Sequence, residues 1–235
     1  MTDIFEVLEA TWPPAQTWEQ QGWRFRDGAG GGKRVSAATA LSGHADLDAL
    51  EQDAARRNVR ALVQVQNGQD ELDARLAQAG FDMVDRTLLW DIPVSELTDI
   101  PIPKVTAFAI WEPLAIMHEI WRKGGMADAR FDVMGRAKCK TAILSRWNEK
   151  PAGAAFAAAH NGTCMVHAVE VLPWQRRQGV AQWMMRKAAY WAAEQGAHRL
   201  AVACVAGNTA ANALYEGLGF HKVGSYHYRI KEGDT

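Results

Sequence analysis

Arg176, Arg177, Gln178, Gly179, Val180 and Ala181 follow one another directly, two guanidinium side chains beside a glycine that lets backbone N–H groups come close to an anion. That is the composition of a diphosphate cradle. Its setting strengthens the reading. Residues 163–172 form an apolar run with β-branched members, and Pro173, which cannot donate to a ladder, ends it. Val180, Met184, Ala188 and Trp191 then recur at helical spacing as far as Gly196, which suits the left-handed residue after a helix. The loop therefore leads from a strand into a helix, whose first N–H groups point outward with partial positive charge. An anionic diphosphate is the expected guest.

R-x-x-G-x-A in this loop resembles the Q/R-x-x-G-x-G/A loop with which GNAT-superfamily acyltransferases hold the pyrophosphate of acetyl-CoA, with Ala181 in place of the last glycine. A second match follows. Residues 199–205 read as a buried strand, and the stretch from Asn208 through Ala211, Leu214 and Tyr215 to Gly219 and Phe220 is similar to the family's N-x-x-A-x-x-L-Y-x-x-x-G-F segment. The resemblance covers 104–230. It implies the GNAT fold, an α/β (α+β) architecture with a mixed twisted sheet flanked by helices. The implied activity is an acetyl-CoA-dependent N-acetyltransferase moving an acyl group to a primary amine of a small molecule, by direct attack in a ternary complex and without a metal. A non-catalytic CoA-binding or sensory protein is the alternative.

The resemblance also implies roles. Backbone groups of Val169, Glu170 and Val171 position the thioester where two strands splay apart and pantetheine pairs as a false strand. Arg176 to Ala181 hold the diphosphate, Arg177 and Gln178 mainly through backbone N–H groups. Asn208 meets the pantetheine arm or caps the helix that follows it, and Tyr215 protonates the departing thiolate. The ammonium of the acceptor also needs a base. Strand alternation puts Met165, His167, Val169 and Val171 on one face, so His167 is expected to look into the acceptor side of the cleft, with Glu170 opposite, solvated or structural. Arylalkylamine-type members carry a histidine at this distance before the loop. A histidine merely packed between strands is the competing reading. Trp111, Trp121, Met126 and Met134 are expected on the helices that wall the acceptor pocket, where core packing explains them equally well.

The 235 residues suffice for one large or two small domains, and 48% hydrophobic with 23% charged residues is ordinary for a globular protein. A net charge of −1 gives no reason to expect nucleic acid or an anionic membrane as partner. No apolar run reaches membrane-spanning length and the start lacks the features of a signal peptide, so a cytoplasmic setting is expected. Cys139, Cys164 and Cys204 are spaced like reduced packing residues.

Pro93, Pro101 and Pro103 break the periodicity, which places a linker at 96–103 between a lobe at 1–95 and a transfer domain at 104–235. In the latter the expected order is one strand, two helices, three antiparallel strands with turns at 148–151 and Asn161-Gly162, then helix, strand, helix and strand. A shift of 139 positions lays 60–66 over 199–205, Gly80-Phe81 over Gly219-Phe220 and 82–90 over the last strand, all without a gap. The first lobe thus reads as a partial, degenerate repeat. Leu76 replaces Tyr215, Gln69 replaces Asn208, and the cradle falls on 37–42 with no glycine at its third spacing. Gly30, Gly31 and Gly32 are expected at a hairpin tip.

Overall fold

A computed structural model describes residues 3–231 of the chain. The elements run α1 (Ile4–Thr11), β1 (Gln16–Gln20), β2 (Trp23–Asp27), α2 (Lys33–Ser36), β3 (Thr39–Ala40), α3 (Leu47–Arg56), β4 (Ala61–Gln66), α4 (Asp70–Gln78) and β5 (Asp82–Pro93). They continue with β6 (Ala107–Ile110), α5 (Ala115–Lys123), α6 (Ala129–Arg136), β7 (Cys139–Trp147), β8 (Lys150–His160), β9 (Thr163–Val171), α7 (Val180–Glu194), β10 (Arg199–Val205), α8 (Thr209–Gly217) and β11 (His221–Lys231). The second half matches the order expected from its patterns.

Two compact units share the chain: 1–13 with 89–204 and 208–223, and 14–88 with 205–207 and 224–235. In the first, hydrogen-bonded neighbours run β5-β10-β9-β8-β7-β6, mixed in direction because β9 and β10 are parallel while β6 to β9 form an antiparallel meander. Asn148 and Glu149 have φ of 47° and 60°, and Asn161 and Gly162 have 45° and 78°. Positive φ at both central residues is the hairpin turn whose twist matches the strands. The middle strand β8 is rich in alanine, with Ala154, Ala155, Ala157 and Ala158 buried, so helices can lie close on both faces. On one of them α7 buries Val180, Met184, Met185, Ala188, Ala189, Trp191 and Ala192, the stripe read from helical spacing and three neighbours of it.

The second unit packs Trp23, Phe25, Leu50, Val63, Val65, Leu72, Leu76 and Phe81 into one core. Here β1 pairs with β2 through a turn at Gln21 and Gly22, φ 47° and 82°. Gly30 to Gly32 are therefore not a hairpin tip; they lead from β2 into the short α2, and the tip is the earlier Gln21-Gly22. The physical reason is that a two-residue turn needs left-handed backbone at both positions, which Gln-Gly supplies as well as a glycine run does.

The repeat is visible in the elements. Shifted by 139 positions, α4 coincides with α8 and β5 starts where β11 starts. A β-α-β repeat would pair its own first and last strands. Instead β10 has β5 beside it and β4 pairs antiparallel with β11, from Tyr226 opposite Gln66 to Lys231 opposite Ala61. The last strands of the two copies are exchanged. Matched contacts accompany the exchange: the indole N–H of Trp90 on β5 donates to Asn212 Oδ1 on α8 at 3.1 Å, and at the equivalent positions Arg229 on β11 donates to Asp73 on α4 at 2.7 and 2.9 Å.

Candidate functional site

The site begins with a break in β9. Phe156 lies opposite His167 and Ala154 opposite Glu170, so Ala155 faces both Ala168 and Val169. This is a β-bulge. Ala168 takes a left-handed φ of 52°, which twists the strand out of line and aims its carbonyl at α5, where the Trp121 indole N–H donates to it at 2.8 Å. The parallel ladder to β10 runs from Thr163 opposite Arg199 to Val166 opposite Val202. Val169, Glu170 and Val171, beyond the bulge, lie past its end.

The bulge corrects the alternation expected for this strand. With one residue added between them, His167 and Glu170 share a face, and Val169 and Val171 do not lie on the face of His167. A pocket of about 150 Å³ opens here, lined by Trp121, Gly124, Gly125, Met126, Arg130 and the edge of β9 from Ala168 to Glu170. A Cβ on Gly124 would stand 2.4 Å from Glu170 Oε2, so only a glycine lets this carboxylate lie across the end of α5. Of the four residues expected on the pocket walls, Trp121 and Met126 line it; Met134 is buried core, and Trp111 is 41% exposed with its ring edge-on to Phe156.

Beyond Val171 a short turn at Pro173–Gln175 leads to the cradle. Arg176 folds back on β9, its Nε donating to the Val171 carbonyl at 3.1 Å and its Nη2 lying 3.4 Å from Glu170 Oε1. Arg177 has φ of 63° and Gly179 of 77°, and Gly179 is the N-cap of α7 with no side chain capping the helix. The first N–H groups of a fifteen-residue helix are thus left for something else to satisfy. Two guanidinium groups, a left-handed glycine and an uncapped helix start fit a diphosphate.

The structure brings Glu170, Val171 and Arg176 together; His167, Tyr215 and Asn208 have other neighbours. His167 is only 3% exposed and lies under α1: its Nε2 is 2.9 Å from Thr11 Oγ1, and its ring packs at a tilt against Trp12 with centroids 5.0 Å apart. It does not look into the pocket. Alternation predicts a face of a strand but not what covers that face, and nothing in the spacing of Thr11 and Trp12 announces that they do. Tyr215 is buried against the Phe220 ring, and burial pushes its phenol well above the usual tyrosine range, with Cys204 acting in the same direction. Asn208 caps α8, its Oδ1 accepting from the Ala211 N–H at 3.1 Å. Trp174, beside the cradle, is 65% exposed under the Lys123 ammonium. His160 is 34% exposed, and its Nε2 meets Glu6 at 2.8 Å.

Among the described residues no group of three metal-ligating side chains could hold an ion, and no described helix is long and apolar enough to cross a membrane. Burial pushes the Cys164 thiol up, which suits a packing residue.

Residues 107–220 match the family model described as Acetyltransferase (GNAT) family. No curated protein matches the chain. Among solved structures, a GCN5-related N-acetyltransferase from Kribbella flavida superposes with a TM-score of 0.77 at 18% identity, covering 98% of this chain and 95% of that one. A tandem GNAT protein from the clavulanic acid biosynthesis pathway gives 0.61 at 12% identity, over 99% and 88%. An acetyltransferase of the GNAT family from Novosphingobium aromaticivorans, so described as putative, gives 0.59 at 16% identity, over 93% and 92%. At these identities the likeness is one of fold.

Proposed function

Residues 107–220 form a domain of the acetyltransferase (GNAT) family, and from that premise we propose that this chain moves an acetyl group from acetyl-CoA to a primary amine of a small molecule. The observation that carries the reading is the junction of a bulged, splayed β9 with an uncapped α7 whose N-cap is a left-handed glycine. A pantetheine arm finds unpaired strand edge at Val169, Glu170 and Val171, and a diphosphate finds N–H groups and guanidinium charge from Arg176 through Gln178 and Gly179 to Val180 and Ala181. Asn208, already committed to capping α8, lends its remaining polar atoms to the arm.

In this reading the amine nitrogen attacks the thioester carbon, the C–S bond breaks, and the electron pair leaves on sulfur. Tyr215 gives its phenolic proton to that thiolate. Its burial keeps the phenol neutral at working pH, so the proton is present when needed. His167 takes the proton that the ammonium must lose, through a water, since Thr11 and Trp12 cover the ring. The transfer domain is assigned to 104–235, with 1–95 as a degenerate lobe and 96–103 as a linker, and the setting is cytoplasmic.

The burial of His167 favours one second reading, a CoA-binding sensor that no longer transfers acyl groups. A thiol-release screen with acetyl-CoA across amino acids, polyamines, arylamines and peptides decides between them. Release that depends on an amine supports the enzyme; CoA binding by calorimetry with no release on any amine supports the sensor.

A further inference from the structure

The N-terminal helix α1 lies outside the region that matches the family model, yet its Thr11 Oγ1 stands within hydrogen-bond distance of His167 Nε2. The helix is well anchored. Glu6 accepts from Asn161 Nδ2 at 2.9 Å and meets His160 Nε2 at 2.8 Å, and the Pro13 carbonyl just past its end accepts from Arg136 Nε at 3.1 Å. Thr11 is completely buried. Its hydroxyl has a single proton, and the Val7 carbonyl one turn back lies 2.7 Å away, the distance of a good O–H···O bond; the Leu8 carbonyl is farther, at 3.5 Å. With that proton committed, the hydroxyl oxygen can only accept from His167 Nε2 at 2.9 Å. The imidazole must then carry its proton on Nε2.

We infer that Thr11 is a positioning residue that holds His167 in the Nε2–H tautomer, so that Nδ1 is the nitrogen through which this histidine accepts a proton. Trp12 completes the device. Its ring lies 5.0 Å from the imidazole at 32°, so the imidazole cannot turn over to exchange its two nitrogens without parting from the indole. Whatever group meets Nδ1 in the neutral protein must be a donor, and that is the geometry required of a water or ammonium delivering a proton. The inference rests on the reading of His167 as base, but the tautomer can be tested without turnover.

The experiment is nitrogen NMR of the full chain labelled in histidine, with the His167 pair identified by its absence in His167→Gln. The expected spectrum of the neutral ring has Nε2 protonated and Nδ1 bare. In Thr11→Val, which keeps the shape and removes the acceptor, the pair should shift toward a mixture of tautomers, and Thr11→Ser should restore it. On an amine found in the acceptor screen, kcat should fall about 10-fold or more in Thr11→Val and recover in Thr11→Ser, with KM for acetyl-CoA unchanged. A parent spectrum with Nδ1 protonated overturns the inference, as does a Thr11→Val spectrum identical to the parent. If Thr11→Val does not fold, the parent spectrum and Thr11→Ser still decide. The expected tautomer with no amine-dependent thiol release on any acceptor would instead defeat the proposed function and leave the Thr11 assignment standing.

Discussion

Tyr215 and His167 are both buried, and burial acts differently on an acid and on a base. For Tyr215 it raises the phenol, which in the proposed mechanism keeps the proton in place at some cost in its readiness to leave. Tyr215→Phe keeps the ring against Phe220 and deletes the donor. CoA affinity should therefore hold while turnover at saturating acetyl-CoA falls by roughly 10² to 10⁴; a near-parental rate removes Tyr215 from the mechanism. In the proposed mechanism the burial of His167 admits only a guided proton. His167→Gln should abolish the acidic limb of the pH profile of turnover, and a limb that persists assigns His167 to packing. Gly179 differs from both because the proposed cradle uses its backbone and not a side chain. At φ 77° a side chain is strained, and in Gly179→Glu the added carboxylate stands where the diphosphate is proposed to lie. Calorimetry should show CoA binding lost from a chain whose circular dichroism is unchanged; unchanged affinity sinks the cradle.

At the scale of elements, the bulge in β9 shapes the candidate site, and the last strands of the two copies, β5 and β11, are exchanged. Bulging moves Glu170 onto the face of His167 and frees the strand edge past Val166. The exchange is held by unlike chemistry at matched positions, an indole to an amide in one unit and a guanidinium to a carboxylate in the other. Without the exchange Asp73 would meet Trp90's position and Arg229 would meet Asn212's, so the charge pair itself favours the observed pairing. Asp73→Asn leaves Arg229, whose side chain is only 11% exposed, without its counter-ion, and should lower unfolding free energy by about 1–3 kcal/mol in urea titration. The pH dependence follows from the same pair. Hydrogen bonds from Arg229, foremost, and from His227 pull the Asp73 carboxyl down to about 2 against the opposing effect of its burial. Because the folded value lies below the unfolded one, this stabilisation is complete above about pH 4 and is lost as pH falls toward 2. Melting temperatures of parent and Asp73→Asn should therefore converge across that window, and curves that stay parallel would contradict the assignment.

For the whole molecule, the repeat predicts one CoA site per chain, because the copy of the cradle at 37–42 has no glycine at its third spacing, and Leu76 and Gln69 occupy the positions of Tyr215 and Asn208. Calorimetry returning two equivalent sites would refute this. How far the sequence alone reaches can be judged from particular elements. The loop that leads into α7, the strand before it, the amphipathic stripe of α7 and the 139-residue repeat are local in character, set by glycine, proline, apolar period and spacing, and each was legible in the chain. The bulge was not, because Ala168 has no special preference for left-handed backbone and is held there by the register of β8 and by Trp121. Nor was the cover over His167, since Thr11 reaches it across 156 positions, or the exchange of the last strands, since two copies of one β-α-β pattern fit either pairing. The amino-acid order determined which elements form and where a diphosphate could lie. Which face each catalytic candidate presents, what encloses it and which copy each last strand joins were decided by contacts distant in sequence, and local patterns carry no information about those.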